Sequence, residues 1–320
     1  MRPIRWLAAL LGLVVLAAAA GLGWAHWAIR SVRPPLPTDE AILSLADAAD
    51  RPVRLRWVNA ASQRVPHAAG FAASIPGRRD PWQRMAYPVF VLEWADGRLL
   101  LVDAGMDRAS ALDFGRVIEW LGGEPIEPDV VIGAALGAAR SRAAGLVFTH
   151  LHVDHTQGVA SLCPSGAALL PVFLSSAQVE QANHTTRGGL AQIREATCLQ
   201  PHVIEGSGAV ALPGFPGVAV VPVAGHTPGS QMIVAWVGAE RPRGILLIGD
   251  VVNAIDGVRH DVAKPAVYRW LIVPEDDERL GDARRWLARL GREHDLLIVP
   301  SHDQEHLEAL GLERATTLDG

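Results

Sequence analysis

The sequence predicts an α/β domain of layered sheets with helices on their outer faces, set behind an apolar N-terminal segment. Three observations carry this. Short β-type runs open the folded part as a hairpin and then alternate with amphipathic helical stretches. Several of the later runs end in a turn that holds a histidine or an aspartate. Residues 6–25 contain no charged side chain.

That uncharged run is about twenty residues long, which suits a helix crossing a ~30 Å hydrocarbon layer. An uncleaved anchor, a cleaved signal and a buried helix all fit it, and Ala18 and Ala20 are small enough for a cleavage site. The first two place the rest of the chain outside the cytoplasm, membrane-anchored or secreted. Arg2 and Arg5 are nearly balanced by Arg30 and Arg33, so only the short tail favours an inside N-terminus. RPPLP at 33–37 reads as a stiff tether, with folding expected to begin near residue 38. The expected division is 1–29 as anchor or signal, 30–49 as a proline-rich linker and 50–320 as the main domain.

Within that domain, strands are expected at 53–58, 88–94 and 98–105, the last two joined by a tight Asp96-Gly97 turn. A helix over 108–121 would present Leu112, Phe114, Val117, Ile118 and Leu121 on one inner face. Strands follow at 145–148, 170–175, 218–223, 231–237, 244–249 and 295–300. A second helix over 278–290 carries Leu280, Ala283, Trp286, Leu287 and Leu290 inward. Residues 176–206 are polar and poorly patterned, as an insertion at a substrate rim would be.

With 320 residues, 49% of them hydrophobic, the chain can bury a sizeable core. Its net charge is −5 and its arginines are scattered among acids, which argues against a nucleic-acid partner. Cys163 and Cys198 sit in no metal-binding spacing; a disulfide and two buried thiols are both open.

The chemistry concentrates in THLHVDHTQG, residues 149–158, which places His150, His152, Asp154 and His155 within six positions. In an extended segment, side chains two apart share a side, and a bend can turn the next pair toward a second position. Imidazole and carboxylate donors suit zinc, iron or manganese. His226 follows the 218–223 run, Asp250 the 244–249 run and His302 the 295–300 run, so all three lie where strands enter turns. His306, four residues past His302, is an alternative ligand; His67, His184, His202, His260 and His294 read as structural or surface residues.

These motifs, with Asp103 in LLLVDAG, resemble the metallo-β-lactamase-fold hydrolase superfamily over residues 85–303. The resemblance implies a four-layered αβ/βα sandwich with two divalent ions, zinc first and iron or manganese as alternatives, at the rim between its sheets. It implies His150, His152 and His226 around one ion, Asp154, His155 and His302 around the other, and Asp250 between them. Asp103 would support the histidine loop from outside. The implied reaction is attack by a bridging hydroxide on a small ester, lactone or amide, with Asp154 moving a proton. Alternatives are a small-molecule phosphodiesterase or thioesterase of the same fold, and a metal-binding domain without catalysis.

The pattern departs from the B1 β-lactamases, which place cysteine near Asp250 and lack the second-ion histidine found at 155. It departs from the flavodiiron proteins, which place glutamate where His152 stands. The glyoxalase II-like and lactonase-like branch carries the full set, although few residues follow His302 for a glutathione-binding extension. Lactonases often carry a tyrosine three residues past the bridging aspartate; Asn253 stands there, and Asn253 or Tyr268 would have to supply the donor. Tyr268 and Trp270 otherwise read as core packing.

Overall fold

The structure, a computed structural model, describes residues 2–70, 75 and 80–319. Its first half supplies strands β1 (Arg54–Pro66), β2 (Trp82–Glu93), β3 (Leu99–Val102), β4 (Glu127–Pro128), β5 (Ala143–Val147), β6 (Leu170–Ser175) and β7 (Leu199–Ile204). The second half supplies β8 (Val210–Ala211), β9 (Val218–Pro222), β10 (Gln231–Val237), β11 (Arg243–Gly249), β12 (Leu297–Pro300) and β13 (Glu313–Arg314).

Among the described residues one sheet runs β13-β1-β2-β3-β5-β6-β7, with β4 beside β1, and the other runs β12-β11-β10-β9-β8. The β2–β3 hairpin is antiparallel, pairing Phe90 with Val102, and Gly97 turns it at φ +86°. From β3 onward the first sheet becomes parallel.

The period-2 alternation of side chains builds the layers. In β3, Leu100 and Val102 enter the core between the sheets, where Trp57, Phe90, Ile233 and Leu247 meet them. Leu99 and Leu101 face outward, against Ile132, Leu136 and Leu190. On the far side, Val221, Val234 and Leu246 are covered by Leu280, Ala283, Trp286, Leu287 and Leu290 of the helix Asp277–His294. Helix, sheet, sheet and helix therefore form the four layers expected. Asp276 caps that helix by accepting from Arg279 N at 3.3 Å.

Several expectations change. β1 continues well past residue 58 because its polar residues find buried partners: Asn59 donates to Ser62 at 2.8 Å and Ser62 to Gln304 at 2.8 Å. The stretch 176–206 is not a plain insertion, since its last part is β7, paired parallel to β6. In the helix Arg108–Trp120 the buried residues are Ala111 and Gly115, whereas Leu112 and Val117, and Leu121 just beyond it, are exposed. A Cβ on Gly115 would stand 2.4 Å from Ile126, so the small face of this helix approaches the body and its larger apolar face is left over.

The N-terminal segment forms one helix, Arg2–Arg30, whose span Ala9–Arg30 is long and apolar enough to cross a membrane. Its last turns rest on the domain, with Ala25 and Ile29 buried. Beyond it Arg33 pairs with Asp276 at 2.9 Å, and Ile42 of a short helix, Asp39–Leu43, is fully buried against the second sheet.

Cys163 and Cys198 form a disulfide across 35 residues, tying the segment after the histidine loop to the start of β7. Closing a loop of that length in the unfolded chain stabilises the fold by about 2–4 kcal/mol. We expect Cys163→Ser/Cys198→Ser to lower the urea midpoint and steepen the slope, because the unfolded chain is no longer held compact; an unaltered midpoint would refute a structural role for the bridge.

Candidate metal centre

Each polar residue singled out by sequence sits where a strand delivers the chain to the same rim. β3 ends at Asp103, β5 leads into His150, and the one-turn helix Val153–Thr156 carries Asp154 and His155. His226 follows β9, Asp250 follows β11 and His302 follows β12. All are buried. Potential ligand atoms of His150, His152 and His226 lie within 4.8 Å of one another, and so do those of Asp154, His155 and His302. Asp250 spans the two groups: Oδ2 lies 3.4 Å from His226 Nε2, and Oδ1 lies 3.2 Å from His302 Nε2.

Hydrogen bonds on the outer side of each ring decide which nitrogen faces inward. Nδ1 of His155 donates to Asp103 Oδ2 at 2.8 Å, Nδ1 of His302 to the Ala86 carbonyl at 2.8 Å, and Nδ1 of His226 to Glu275 at 2.6 Å. Nδ1 of His150 contacts Thr149 Oγ1 at 3.2 Å, and that hydroxyl donates to Asp103 at 2.8 Å. His152 is turned the other way, with Nε2 on Thr185 Oγ1 at 2.9 Å. Four Nε2 atoms and one Nδ1 thus point into a common space. His152 Nδ1 lies 3.1 Å from both His150 Nε2 and His226 Nε2, a convergence of acceptor nitrogens that a shared cation would satisfy. His155 Nε2 and Asp250 Oδ1 are buried there without a well-aligned hydrogen bond. The donor set fits divalent transition metals or zinc.

Asp103 holds the loop in place. It is fully buried at φ +64°, a conformation rare outside glycine, and accepts from the Thr149 amide at 2.8 Å as well as from Thr149 Oγ1 and His155. The same loop must pass close by: a Cβ on Gly158 would stand 2.0 Å from the Ala104 carbonyl oxygen.

The electrostatics of the two groups differ. Burial, followed by neighbouring positive charge, holds His150, His152 and His226 well below the ordinary imidazole value. At His155 burial opposes the charge, but Asp103 and Asp154 outweigh it and raise the ring well above that value. His302 is raised too, chiefly by Asp250 against the cost of burial. Burial would favour a neutral Asp250, yet His302 and His150 hold its carboxyl well below the usual range.

Sequence reading missed Lys264 and Glu275. Lys264 Nζ donates to Glu275 at 2.7 Å and to the Asp250 carbonyl at 2.7 Å, so one buried ammonium ties the His226 partner to the Asp250 backbone. The available signal was composition, since Lys264 is the single lysine among 29 basic residues. Thr185, which orients His152, lies in the stretch suspected of forming a rim. His306 is not brought in; its Nε2 bonds the Ile298 carbonyl at 3.0 Å.

The centre forms the floor of a cavity of about 230 Å³ whose walls are apolar, with Met85, Phe114, Ile118 and Ile272 among them. Asn253 and Tyr268 line it beside His152, Asp154 and Asp250. Trp270 is not core; it lies at the surface against His26, ring centres 4.7 Å apart. The left-over face of the helix Arg108–Trp120 is therefore a cavity wall.

Glu275→Gln, which removes the charge behind His226 and leaves Lys264 unpaired, should weaken zinc binding by about 10–100-fold in chelator competition. Wild-type affinity in that variant would show that the Lys264–Glu275 pair has no part in orienting the ring.

The sequence profile of the metallo-beta-lactamase superfamily matches residues 84–302. No curated protein matches by sequence. Among solved structures, an N-acyl homoserine lactone hydrolase with N-hexanoyl-L-homoserine at its metal centre is similar at TM-score 0.60 and 19% identity, over 81% of this chain and 96% of that one. A probable metal-dependent hydrolase from Staphylococcus aureus gives 0.55 and 11%, over 80% and 91%. A dizinc quorum-quenching lactonase in complex with a product gives 0.51 and 15%, over 80% and 90%. With its layers, its rim of strand ends and more than half its length matched, the chain belongs to the metallo-beta-lactamase superfamily.

Proposed function

We propose that the protein is a metal-dependent hydrolase that opens a small ester or lactone bearing an apolar chain, with two divalent cations, zinc foremost, held by His150, His152, His226, Asp154, His155, His302 and Asp250. The observation that carries this reading is the placement of inward-facing, tautomer-fixed imidazoles on the floor of an apolar cavity. The structural neighbours that bind acyl homoserine products lend it support. Such cations acidify water and polarise a carbonyl oxygen, which removes the need for a nucleophilic serine or cysteine.

The chain's own residues do the rest. Met85, Phe114 and Ile118 exclude water around the scissile group and receive the apolar part of the substrate. Tyr268 keeps its proton: burial first, and then the charges of Glu275, Asp250 and Asp154, push its phenol well above the ordinary value. Its hydroxyl, already engaged with Asn253, is therefore a donor for the developing negative oxygen. Asp154, whose carboxylate lines the same cavity, would carry a proton to the leaving oxygen. On this reading the asparagine at 253 does not remove the donor, because Tyr268 lines the same cavity.

Elemental analysis of purified protein should give about two metal ions per chain, and one or none would break the two-ion reading. Against a panel of lactone, ester, thioester, β-lactam and phosphodiester substrates, turnover should be greatest on an acyl lactone or ester and vanish in His150→Ala. Tyr268→Phe and Asp154→Asn should each lower kcat by about 10²-fold or more with little change in KM. A change confined to KM would remove them from the chemical step.

A further inference from the structure

Around the mouth of the cavity the surface is apolar where a soluble enzyme would be polar. On one side, next to the wall residues Val117 and Leu121, Trp120 is 87% exposed. On the other, next to Tyr268 and Ile272, Val267 is 60% and Leu271 65% exposed, with Trp270 beside them. Large apolar side chains clustered at one opening mark an interaction surface.

The N-terminal helix shows what covers it. From residue 6 to residue 25 it carries no charge, and at 1.5 Å per residue that stretch spans about 30 Å, the thickness of a hydrocarbon layer. Trp24 and Trp27, both exposed, fall at its end, where aromatic residues favour the membrane interface. The next contacts are with the cavity mouth itself: His26 Nε2 bonds the Trp270 carbonyl at 3.1 Å, and the Arg30 guanidinium lies 5.9 Å from the centre of the Trp270 ring. The end of the uncharged stretch is thus fixed to the segment 268–272, whose Tyr268 and Ile272 line the cavity.

We infer that Trp120, Val267, Trp270 and Leu271 rest on the lipid surface, so that the cavity opens toward the bilayer and takes an amphiphilic substrate from it. This rests on the hydrolase reading for the word substrate and on retention of the N-terminal helix for the placement. The reactive head group would reach the metal centre while the chain leaves through Val117, Leu121 and Ile272. Arg243 begins β11 and Asp295 precedes β12, at the ends remote from Asp250 and His302.

The test uses the full chain in phosphatidylcholine nanodiscs, with a benzoyl-phenylalanine photo-crosslinker placed singly at Trp120, Leu271 or Asp295. Lipid adducts at 120 and 271 and none at 295 are expected. Adducts no more frequent at 120 and 271 than at 295, crosslinks to a second copy of the chain instead of lipid, or recovery of a soluble chain that has lost its helix would each overturn the placement. A kinetic arm uses Trp120→Glu/Val267→Glu/Leu271→Glu, which leaves the cavity lining intact. Its turnover of vesicle-borne N-decanoyl homoserine lactone should fall about tenfold while that of the water-soluble N-butanoyl lactone is unchanged. Equal rates on both, relative to the unmodified protein, would overturn the bilayer route. If neither lactone is turned over, homoserine lactones are excluded as substrates while the hydrolase reading is decided by the wider substrate panel, and the adduct pattern alone decides the placement.

Discussion

The geometry of the centre depends on one buried carboxylate. Asp103 lies at the end of β3, and its two oxygens accept from the Thr149 amide, the Thr149 hydroxyl and His155 Nδ1. These bonds fix the backbone where β5 becomes the histidine loop, the ring plane of His155 and, through Thr149, the outer nitrogen of His150. The left-handed backbone at Asp103 is held by these three bonds to a fully buried side chain. Neighbouring strands end at one level, so a single clamp at that level positions residues far apart in sequence.

Electrostatics explain why the clamp has counterparts. Asp103, Asp154, Asp250 and Glu275 are enclosed together, with Lys264 the one permanent cation bonded among them in the described residues. Such a group is costly to bury unless positive charge is supplied close by. Asp103 and Asp154 raise His155 and Asp250 raises His302, so these two rings can meet part of that need, whereas burial and neighbouring positive charge lower His150, His152 and His226. Divalent cations bound between the carboxylates would take over that role.

Much of this was legible in the sequence because it rests on local rules. Continuous apolar runs such as LPVFLS and QMIVAWV became β6 and β10 with the expected bounds, and each motif at a strand end reached the rim. The legible features end where tertiary partners override pattern. The second half of β1 is polar and takes some of its hydrogen-bond partners from far along the chain, as when Gln63 bonds the Gly115 carbonyl and Ser62 bonds Gln304. β7 is a polar edge strand, without the apolar run that marks a buried one. Lys264 and Glu275 carry no motif, since their role is defined only once β9, β11 and the segment 264–275 have met.

The helix Arg108–Trp120 shows how the same misreading carries functional meaning. Its periodicity is that of a core-facing helix, yet its apolar side exceeds what the core accepts, because Ala111 and Gly115 already fill the close approach to Ile126. Phe114 and Ile118 still touch the core, and the residues beyond them stand over the cavity. An apolar face that packing does not consume remains unfavourable in water until something apolar meets it. The excess lies beside the metal centre and across from the segment held by the N-terminal helix, so this unmet hydrophobic surface and the chemistry share one opening.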